Sequence, residues 1–186
     1  DLYQGEIIGF AGLMGAGRTE VMRSLFGLDR YTSGSIRIKN KDVSIKRVKD
    51  SIQNKMVMLS EDRRRYGIIP VRSVLENASL AHLKSFFYNG FCHKSKEINT
   101  VKKIFQQLNV RTPSYTTSVE SLSGGNQQKV VFAKWMLCDP EILILDEPTR
   151  GIDVGAKYEI YKLMNTLVAS QKGLIMVSSE LPELIG

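Results

Sequence analysis

Compact apolar runs separated by amphipathic stretches set the predicted order of elements along the chain. Such runs are typical of buried strands, and they occur at EIIGFAG (6–12), KMVMLS (55–60), EILILDEP (141–148) and GLIMVSS (173–179). SIRIKN (35–40) instead alternates polar and apolar positions, which favours an edge or antiparallel strand.

Helical spacing of apolar residues occupies most of the intervals between these strands. TEVMRSLFG (19–27) predicts a helix with Val21, Met22 and Leu25 facing inward. Ser123 has a side chain suited to capping a second helix. The helix that Ser123 would cap is SGGNQQKVVFAKWMLC (123–138). Two further helices are predicted at AKYEIYKLMNTLVAS (156–170) and ELPELIG (180–186).

One long stretch departs from this alternation. Residues 63–73 contain several charges, a glycine and a proline, and they predict an extended loop. Residues 74–108 have a helical pattern with a polar break at NGFCHKS (89–95), and no strand is expected among them. Elsewhere strands alternate with helices, which indicates an α/β fold with a mostly parallel sheet covered by helices on both faces.

Composition narrows the class of protein only a little. A chain of 186 residues with 42% hydrophobic content is long enough for one domain with a core, and it has no apolar run of membrane-spanning length. Two distant cysteines indicate free thiols in a reducing compartment, by default the cytoplasm. The net charge of +7 raises the possibility of a nucleic-acid partner, but a solvated surface, bound phosphates or an acidic membrane face suit it as well.

Three motifs carry the candidate chemistry. GLMGAGRT (12–19) joins a predicted strand to a predicted helix, where glycines let backbone N–H groups converge on phosphate oxygens. By itself this loop is equally compatible with a packing turn. The strand ILILDEP (142–148) delivers Asp146 and Glu147 at its C-terminal end, where ligands bind in open α/β sheets. LSGGNQQK (122–129) opens a further helix with a second N-terminus suited to an anion.

Together and in this order, the motifs resemble the nucleotide-binding domain of ATP-binding-cassette (ABC) transporters. GLMGAGRT is similar to the Walker A loop, LSGGNQQK to the signature motif, ILILDEP to the Walker B strand and TRGIDVG (149–155) to the D-loop. SEDRR, DEPTRGIDVGAK and MVSSELPEL are also similar to one branch, the second of two fused cassettes in bacterial monosaccharide importers of the ribose, galactose and xylose type.

The resemblance implies a P-loop NTPase-type fold, the cofactors ATP and Mg²⁺, and a set of site residues. Glu147 would be catalytic, Thr19 and Asp146 would hold Mg²⁺, and Asp153 would be the D-loop acid. Glu61 and Ser179 would stand at the Q-loop and switch positions. The nucleotide-binding residues would be Gly12, Leu13, Met14, Gly15, Ala16, Gly17, Arg18, Thr19 and Glu20. The signature residues, acting on ATP in trans, would be Leu122, Ser123, Gly124, Gly125, Asn126 and Gln127.

Three positions depart from the general ABC pattern, and all three would surround the γ-phosphate. Arg18 replaces a lysine, Glu61 a glutamine and Ser179 a histidine. An arginine is longer and planar, so it does not substitute simply for lysine at a tight phosphate site. We therefore expect this chain's own Walker A site to be degenerate, while its signature motif completes the site of a partner cassette.

The resemblance also implies an organisation and a set of partners. A single cassette (1–186), trimmed at both ends, would have a RecA-like core at 1–73 and 122–186 and a helical subdomain at about 74–121. Phe86, Phe87, Tyr88 and Phe91 would either contact a permease or form a small local core.

The implied partners are a first cassette of the same polypeptide or a second copy, transmembrane permease subunits and, indirectly, a periplasmic sugar-binding protein. No nucleic acid is expected, and the location would be peripheral, on the cytoplasmic face of the bacterial inner membrane. Two rival hypotheses stay open, a non-catalytic regulatory nucleotide-binding module and a nucleic-acid-associated ABC ATPase.

Overall fold

A computed structural model describes residues 1–13 and 15–185. The chain divides into two compact units. The first consists of Asp1–Glu61, Pro140–Pro148 and Thr166–Gly186, and the second of Asp62–Asp139 and Thr149–Asn165. The proposed division into a RecA-like core and a helical subdomain at about 74–121 stays a prediction.

The described elements are numbered in chain order. The strands are β1 (Ile7–Ala11), β2 (Ile36–Ile38), β3 (Lys41–Val43), β4 (Met56–Leu59), β5 (Phe87–Tyr88), β6 (Phe91–Cys92), β7 (Ile142–Asp146) and β8 (Gly173–Ser178). The α-helices are α1 (Arg18–Leu25), α2 (Val48–Gln53), α3 (Val74–Ser79), α4 (Lys94–Gln107), α5 (Gly124–Met136), α6 (Val154–Ala169) and α7 (Leu181–Ile185).

A four-stranded parallel sheet forms the centre of the first unit, with strand order β1-β8-β7-β4. The apolar runs of β4, β7 and β8 supply its core, since nearly every residue in them is buried. This confirms the predicted parallel sheet. The interpretation of residues 6–12 as a buried strand is wrong, because β1 is mostly exposed at one edge of the sheet, with Ile7 and Phe10 over a third exposed.

Short-range hydrogen bonding produced several elements that hydrophobic periodicity missed. Among the residues expected to be purely helical, β5 and β6 form an antiparallel hairpin around Asn89 and Gly90, both of which have positive φ. The predicted loop after Asp62 instead begins with a π-helical turn (Arg63–Gly67), because the Asp62 carboxylate accepts hydrogen bonds from two of its backbone N–H groups. On α1, Met22 is buried as predicted, but Val21 is half exposed.

The second unit is mainly helical. Helices α3, α4 and α5 pack on one another, with Val74, Val101 and Phe132 fully buried among their contacts. A capping box starts α3, since the Ser73 hydroxyl accepts from the Glu76 backbone N–H and the Glu76 carboxylate accepts from the Ser73 backbone N–H. Across residues 1–13 and 15–185, no helix combines the length and apolar character needed to cross a membrane.

Candidate functional site

Two glycines of the loop between β1 and α1 adopt left-handed backbone conformations. Gly15 and Gly17 have φ values of 82° and 81°, in the left-handed region that favours glycine. A Cβ built on either residue would have no neighbour within 4 Å in the part of the chain that the structure describes. Gly17 is the N-cap of α1 and makes no side-chain cap, so the first N–H groups of the helix are open to an anion. The candidate residue Met14 lies outside the described part of the chain.

Arg18 is held by protein groups at the C-terminal ends of β7 and β8. Its Nη1 donates a 2.7 Å hydrogen bond to the Ser178 carbonyl, and its Nη2 lies 3.8 Å from Glu147 Oε1. Both charged side chains are about nine-tenths buried, with exposed fractions of 11% and 10%. The guanidinium therefore offsets part of the negative charge of the candidate catalytic carboxylate. A lysine, with a shorter reach and a single ammonium group, would not make the same two contacts.

Asp146 ends β7 as a fully buried carboxylate. Among the described residues, neither of its oxygens has a hydrogen-bond partner of acceptable geometry. Burial raises the pKa of Asp146, and the charges of Glu147 and Glu20 add to the rise, whereas the nearby Thr19 hydroxyl and the Arg18 guanidinium oppose it. A buried acceptor of this kind carries a free-energy cost unless a ligand satisfies it.

Glu147 follows in a conformation that is unusual for its residue type. Its φ of 47° lies in the left-handed region, and its backbone N–H donates to the Val177 carbonyl at 2.9 Å. The carboxylate accepts a 2.7 Å hydrogen bond from the Ser179 backbone N–H. A strained backbone held by neighbouring groups is frequent at functional sites.

Parallel strand order explains why distant motifs gather in the first unit. The glycine loop follows β1, Ser179 follows β8, Asp146 ends β7 and Glu61 lies two residues after β4. Because the four strands are parallel and adjacent, these positions lie together at the C-terminal ends of the strands.

The signature segment belongs to the second unit, at the start of α5. The Ser123 hydroxyl caps this helix by accepting from the Asn126 backbone N–H (3.4 Å) and side-chain Nδ2 (3.1 Å). Asn126 Oδ1 in turn accepts from the Arg111 backbone N–H at 2.7 Å. Gln127 Nε2 donates to the Leu122 carbonyl at 3.0 Å, so the segment before the helix is held as well.

The candidate D-loop acid lies beside the signature residues. Asp153 Oδ1 accepts a 2.9 Å hydrogen bond from the Ala156 backbone N–H. A Cβ added to Gly125 would lie 2.5 Å from the Ala156 Cβ, so only glycine allows this approach. Ser123, Asn126 and Asp153 line one recess of about 280 Å³. The structure thus brings together the predicted signature and D-loop residues within one unit.

The residues around Asp146 fit a magnesium ion bound jointly with phosphates. The unpartnered carboxylate oxygens are hard ligands, and the Thr19 hydroxyl faces them. No group of three or more His, Cys, Asp or Glu side chains in residues 1–13 and 15–185 is arranged to hold a metal alone. A cation here would therefore take most of its ligands from phosphate and water, as Mg²⁺ commonly does.

Arg63 contacts the D-loop region, and the sequence motifs did not single it out. Its Nη1 and Nη2 donate to the carbonyls of Arg150 (2.8 Å) and Gly151 (3.0 Å). The only available signal was the similarity of SEDRR (60–64) to one branch of the family, which says nothing about what the arginine touches.

Comparison with known proteins identifies the family. The ABC transporter family profile matches residues 1–150, and the chain belongs to this family. It is 50% identical over 182 residues to a putative ribose/galactose/methyl galactoside import ATP-binding protein of Rhizobium etli. It is 48% identical to the ribose import ATP-binding protein RbsA of Clostridium perfringens and 47% identical to the galactose/methyl galactoside import ATP-binding protein MglA of Clostridium tetani, each over 187 residues.

These alignments cover 98–100% of this chain but only 35–37% of the relatives, so the chain spans about a third of their length. Solved structures agree on the fold. A dimeric ATP-binding cassette in a post-hydrolysis state, bound to ADP and Pi, superposes with a TM-score of 0.80 at 20% identity, covering 99% of this chain and 79% of that one. A nucleotide-free cassette gives 0.82 at 19% identity, with coverages of 99% and 74%. The predicted ABC ATPase fold is therefore confirmed.

Proposed function

We propose that this chain is an ATP-binding part of a bacterial monosaccharide importer of the ribose, galactose/methyl galactoside or xylose type. The observation that carries the proposal is the buried, unpartnered carboxylate of Asp146. It lies at the C-terminal ends of the parallel strands, where the open glycine loop also begins. Mg²⁺ bound to ATP would satisfy that carboxylate, and the glycine-loop N–H groups would hold the phosphates. The names of the relatives support the sugar class.

Within this site Glu147 is the candidate general base. It is next to the metal-binding acid, and the Ser179 N–H fixes its orientation. A carboxylate there would accept a proton from water attacking the γ-phosphate in line, while Mg²⁺ would neutralise charge on the phosphate oxygens. Thr19 and Asp146 would hold that ion.

We infer that hydrolysis at this site is slow. The Arg18 guanidinium lies 3.8 Å from the Glu147 carboxylate and so competes with an attacking water for that carboxylate. Arg18 is also bonded to the Ser178 carbonyl, so it would have to leave this partner to reach a phosphate. The replacements at Glu61 and Ser179 remove two further groups that would act near the γ-phosphate.

The signature segment would then contribute more to ATP hydrolysis than this chain's own glycine loop does. Ser123, Asn126 and Asp153 line a recess that would face ATP held by another cassette. That partner would be the first cassette of the same polypeptide, or a second copy of this chain. The length of the relatives supports the former, because a protein about three times as long has room for two cassettes. The C-terminal position of this cassette stays a prediction from the motif resemblance.

An exposed aromatic hairpin is the candidate permease contact. Phe86, one of the four aromatic residues considered, is buried and serves the local core. The other three project from β5 and β6, with exposed fractions of 47% for Phe87, 69% for Tyr88 and 77% for Phe91. A docked permease on the cytoplasmic face of the inner membrane would cover them, and the periplasmic sugar-binding protein would act through that permease.

A non-catalytic, regulatory nucleotide-binding module is the second candidate. The Arg18–Glu147 contact favours it, since a carboxylate held by a guanidinium would be less available to an attacking water while nucleotide binding remained possible. The two candidates differ in turnover of the assembled importer. If the module hypothesis holds, no combination with a competent first cassette yields ATP hydrolysis that depends on this chain.

Calorimetric titration of the chain with Mg-ATP tests the binding site. We expect saturable binding that Asp146→Asn weakens at least tenfold, because the amide is a poorer ligand for Mg²⁺. Asp42→Asn is the matched control: this exposed β3 residue pairs with Arg37, and its variant should bind like the wild type. A folded wild-type chain that binds no nucleotide at millimolar Mg-ATP would contradict the proposal.

A further inference from the structure

Arg63 connects two segments that would face the nucleotide of a partner cassette. Its guanidinium donates hydrogen bonds to two successive carbonyls, at 2.8 Å to Arg150 and 3.0 Å to Gly151. These carbonyls lie in the turn that leads to Asp153. Gly151 itself has a φ of 67°, so the turn depends on a left-handed residue and on partners that hold it.

The same guanidinium lies against the first glycine of the signature. A Cβ added to Gly124 would lie 2.7 Å from Arg63 Nη2 and 3.1 Å from the Gly151 carbonyl oxygen. Gly124 thus leaves the space that the guanidinium occupies. Arg63 fills the gap between the N-terminus of α5 and the turn at 150–151, and it touches both.

The backbone that carries Arg63 is itself anchored to α5. Asp62 Oδ1 accepts from the Arg64 and Arg65 backbone N–H groups at 3.0 and 3.1 Å, which holds the π-helical turn. At the other end of the turn, Lys134 Nζ donates a 2.6 Å hydrogen bond to the Gly67 carbonyl. The arginine therefore projects from a base fixed to the signature helix.

We propose that Arg63 is a positioning residue that holds the signature N-terminus and the D-loop turn in one arrangement. Ser123 and Asp153 then approach the partner's nucleotide as a preformed pair. This inference rests on the proposed role of the signature in trans. A planar guanidinium bonds two neighbouring carbonyls at once, whereas the single ammonium of lysine does not reproduce that fork.

Hydrogen exchange of the turn is the direct readout in the chain itself. We expect Arg63→Ala to speed exchange of the Ala156 and Lys157 backbone amides about tenfold, since both donate to Asp153 and the turn that leads to Asp153 loses two hydrogen bonds. Arg63→Lys should give an intermediate rate. Arg64→Ala, an exposed neighbour in the same turn, is the matched control and should leave these rates unchanged.

ATP turnover of the assembled importer is the functional readout. We expect Arg63→Ala to lower kcat about tenfold with less than a twofold change in KM, because misplaced groups act on the reacting phosphate more than on substrate binding. Arg63→Lys should recover part of kcat. Ser123→Gly, which retains a good helix cap, reports whether the signature acts at all.

The outcomes distinguish the positioning role of Arg63 from the proposed role of the signature in trans. Unchanged exchange at Ala156 and Lys157 and unchanged kcat in Arg63→Ala, with turnover lowered in Ser123→Gly, overturn the positioning role and leave the proposed function intact. Unchanged turnover in Ser123→Gly overturns the role of the signature in trans, and with it the functional part of this inference. If Arg63→Ala does not fold, Arg63→Lys decides by the same two measurements.

Discussion

Two consecutive acids at the end of β7 illustrate how environment assigns different roles to identical groups. Asp146 is buried with its oxygens unpartnered, and burial raises its pKa. Glu147, one residue later, accepts from the Ser179 N–H and lies near Arg18. The first acid therefore needs a cation in order to be charged at low cost, whereas the second already has partners for its charge.

At this scale we predict that Asp146→Asn stabilises the metal-free chain at neutral pH. The raised pKa means that the folded state holds the proton more tightly than the unfolded chain, whose aspartate pKa is near 3.8. Ionisation therefore lowers stability as pH rises above that value. Urea unfolding should show a gain of about 1 kcal/mol at pH 7 that shrinks as the pH approaches 4. A gain that is constant with pH would contradict this origin.

Arg18→Ala should destabilise the fold as well as weaken nucleotide binding. The variant leaves the Ser178 carbonyl without this donor and Glu147 without a nearby countercharge. We expect a loss of about 2 kcal/mol in the free energy of unfolding. The control is Arg37→Ala, whose exposed ion pair with Asp42 should contribute less than about 0.5 kcal/mol. Equal losses of unfolding free energy in the two variants would show that the buried Arg18 contacts stabilise the fold no more than an exposed ion pair does.

At the scale of elements, hydrophobic pattern and local hydrogen bonding each explain a different part of the structure. Apolar runs located β4, β7 and β8. Strands β7 and β8 are buried in the middle of the sheet, whereas β4 is buried at one edge, where α2 contacts it. The same kind of run gave the exposed strand β1 at the opposite edge, because pattern carries no information on what packs against a strand. The hairpin β5–β6 and the turn at Arg63–Gly67 depend on positive-φ residues and on a side-chain cap, which leave no apolar period.

Lys134 gives α5 a measurable pH dependence. Its side chain is buried, and burial lowers its pKa to about 8. Because the unfolded lysine titrates near 10.5, the unfolded chain binds the proton more tightly, and stability rises between pH 8 and 10.5. The gain is on the order of 3 kcal/mol. Comparing urea unfolding of wild type and Lys134→Met over this range should show the rise only in the wild type.

At the scale of the whole molecule, the two groups of site residues belong to different compact units. The first unit contains the glycine loop, the β7 acids and the switch position, and the second contains the signature and the D-loop. In the proposed importer, each group would serve a different nucleotide. This separation makes the two contributions testable by independent variants.

We therefore predict unequal effects of Glu147→Gln and Ser123→Gly on the assembled importer. Glu147→Gln should lower the ATPase rate less than twofold, because the Arg18 guanidinium and the Ser179 N–H already engage that carboxylate. Ser123→Gly should lower it about tenfold or more, because it removes a hydroxyl from the recess that would face the partner's ATP. Steady-state ATPase rates of the two variants at saturating Mg-ATP test this difference. A larger loss from Glu147→Gln would contradict the asymmetry.

Much of the fold and of the candidate site followed from the chain alone. Apolar runs and helical spacing predict the parallel sheet and most helices, because burial and backbone hydrogen bonding are encoded locally. The glycine loop, the two acids and the signature were recognisable because their chemistry requires particular residues at fixed spacing. The roles of Glu61 and Ser179 stay predictions.

Contacts between distant segments were decided only by the tertiary structure. Strand order brought Ser178 to Arg18, across 160 residues, and gave the guanidinium a protein partner. The burial that leaves Asp146 without a partner, and the contact of Arg63 with a carbonyl 87 residues away, also depend on how segments pack. Such contacts leave no period or motif in the sequence, because sequence patterns report what each residue is and packing decides what it meets.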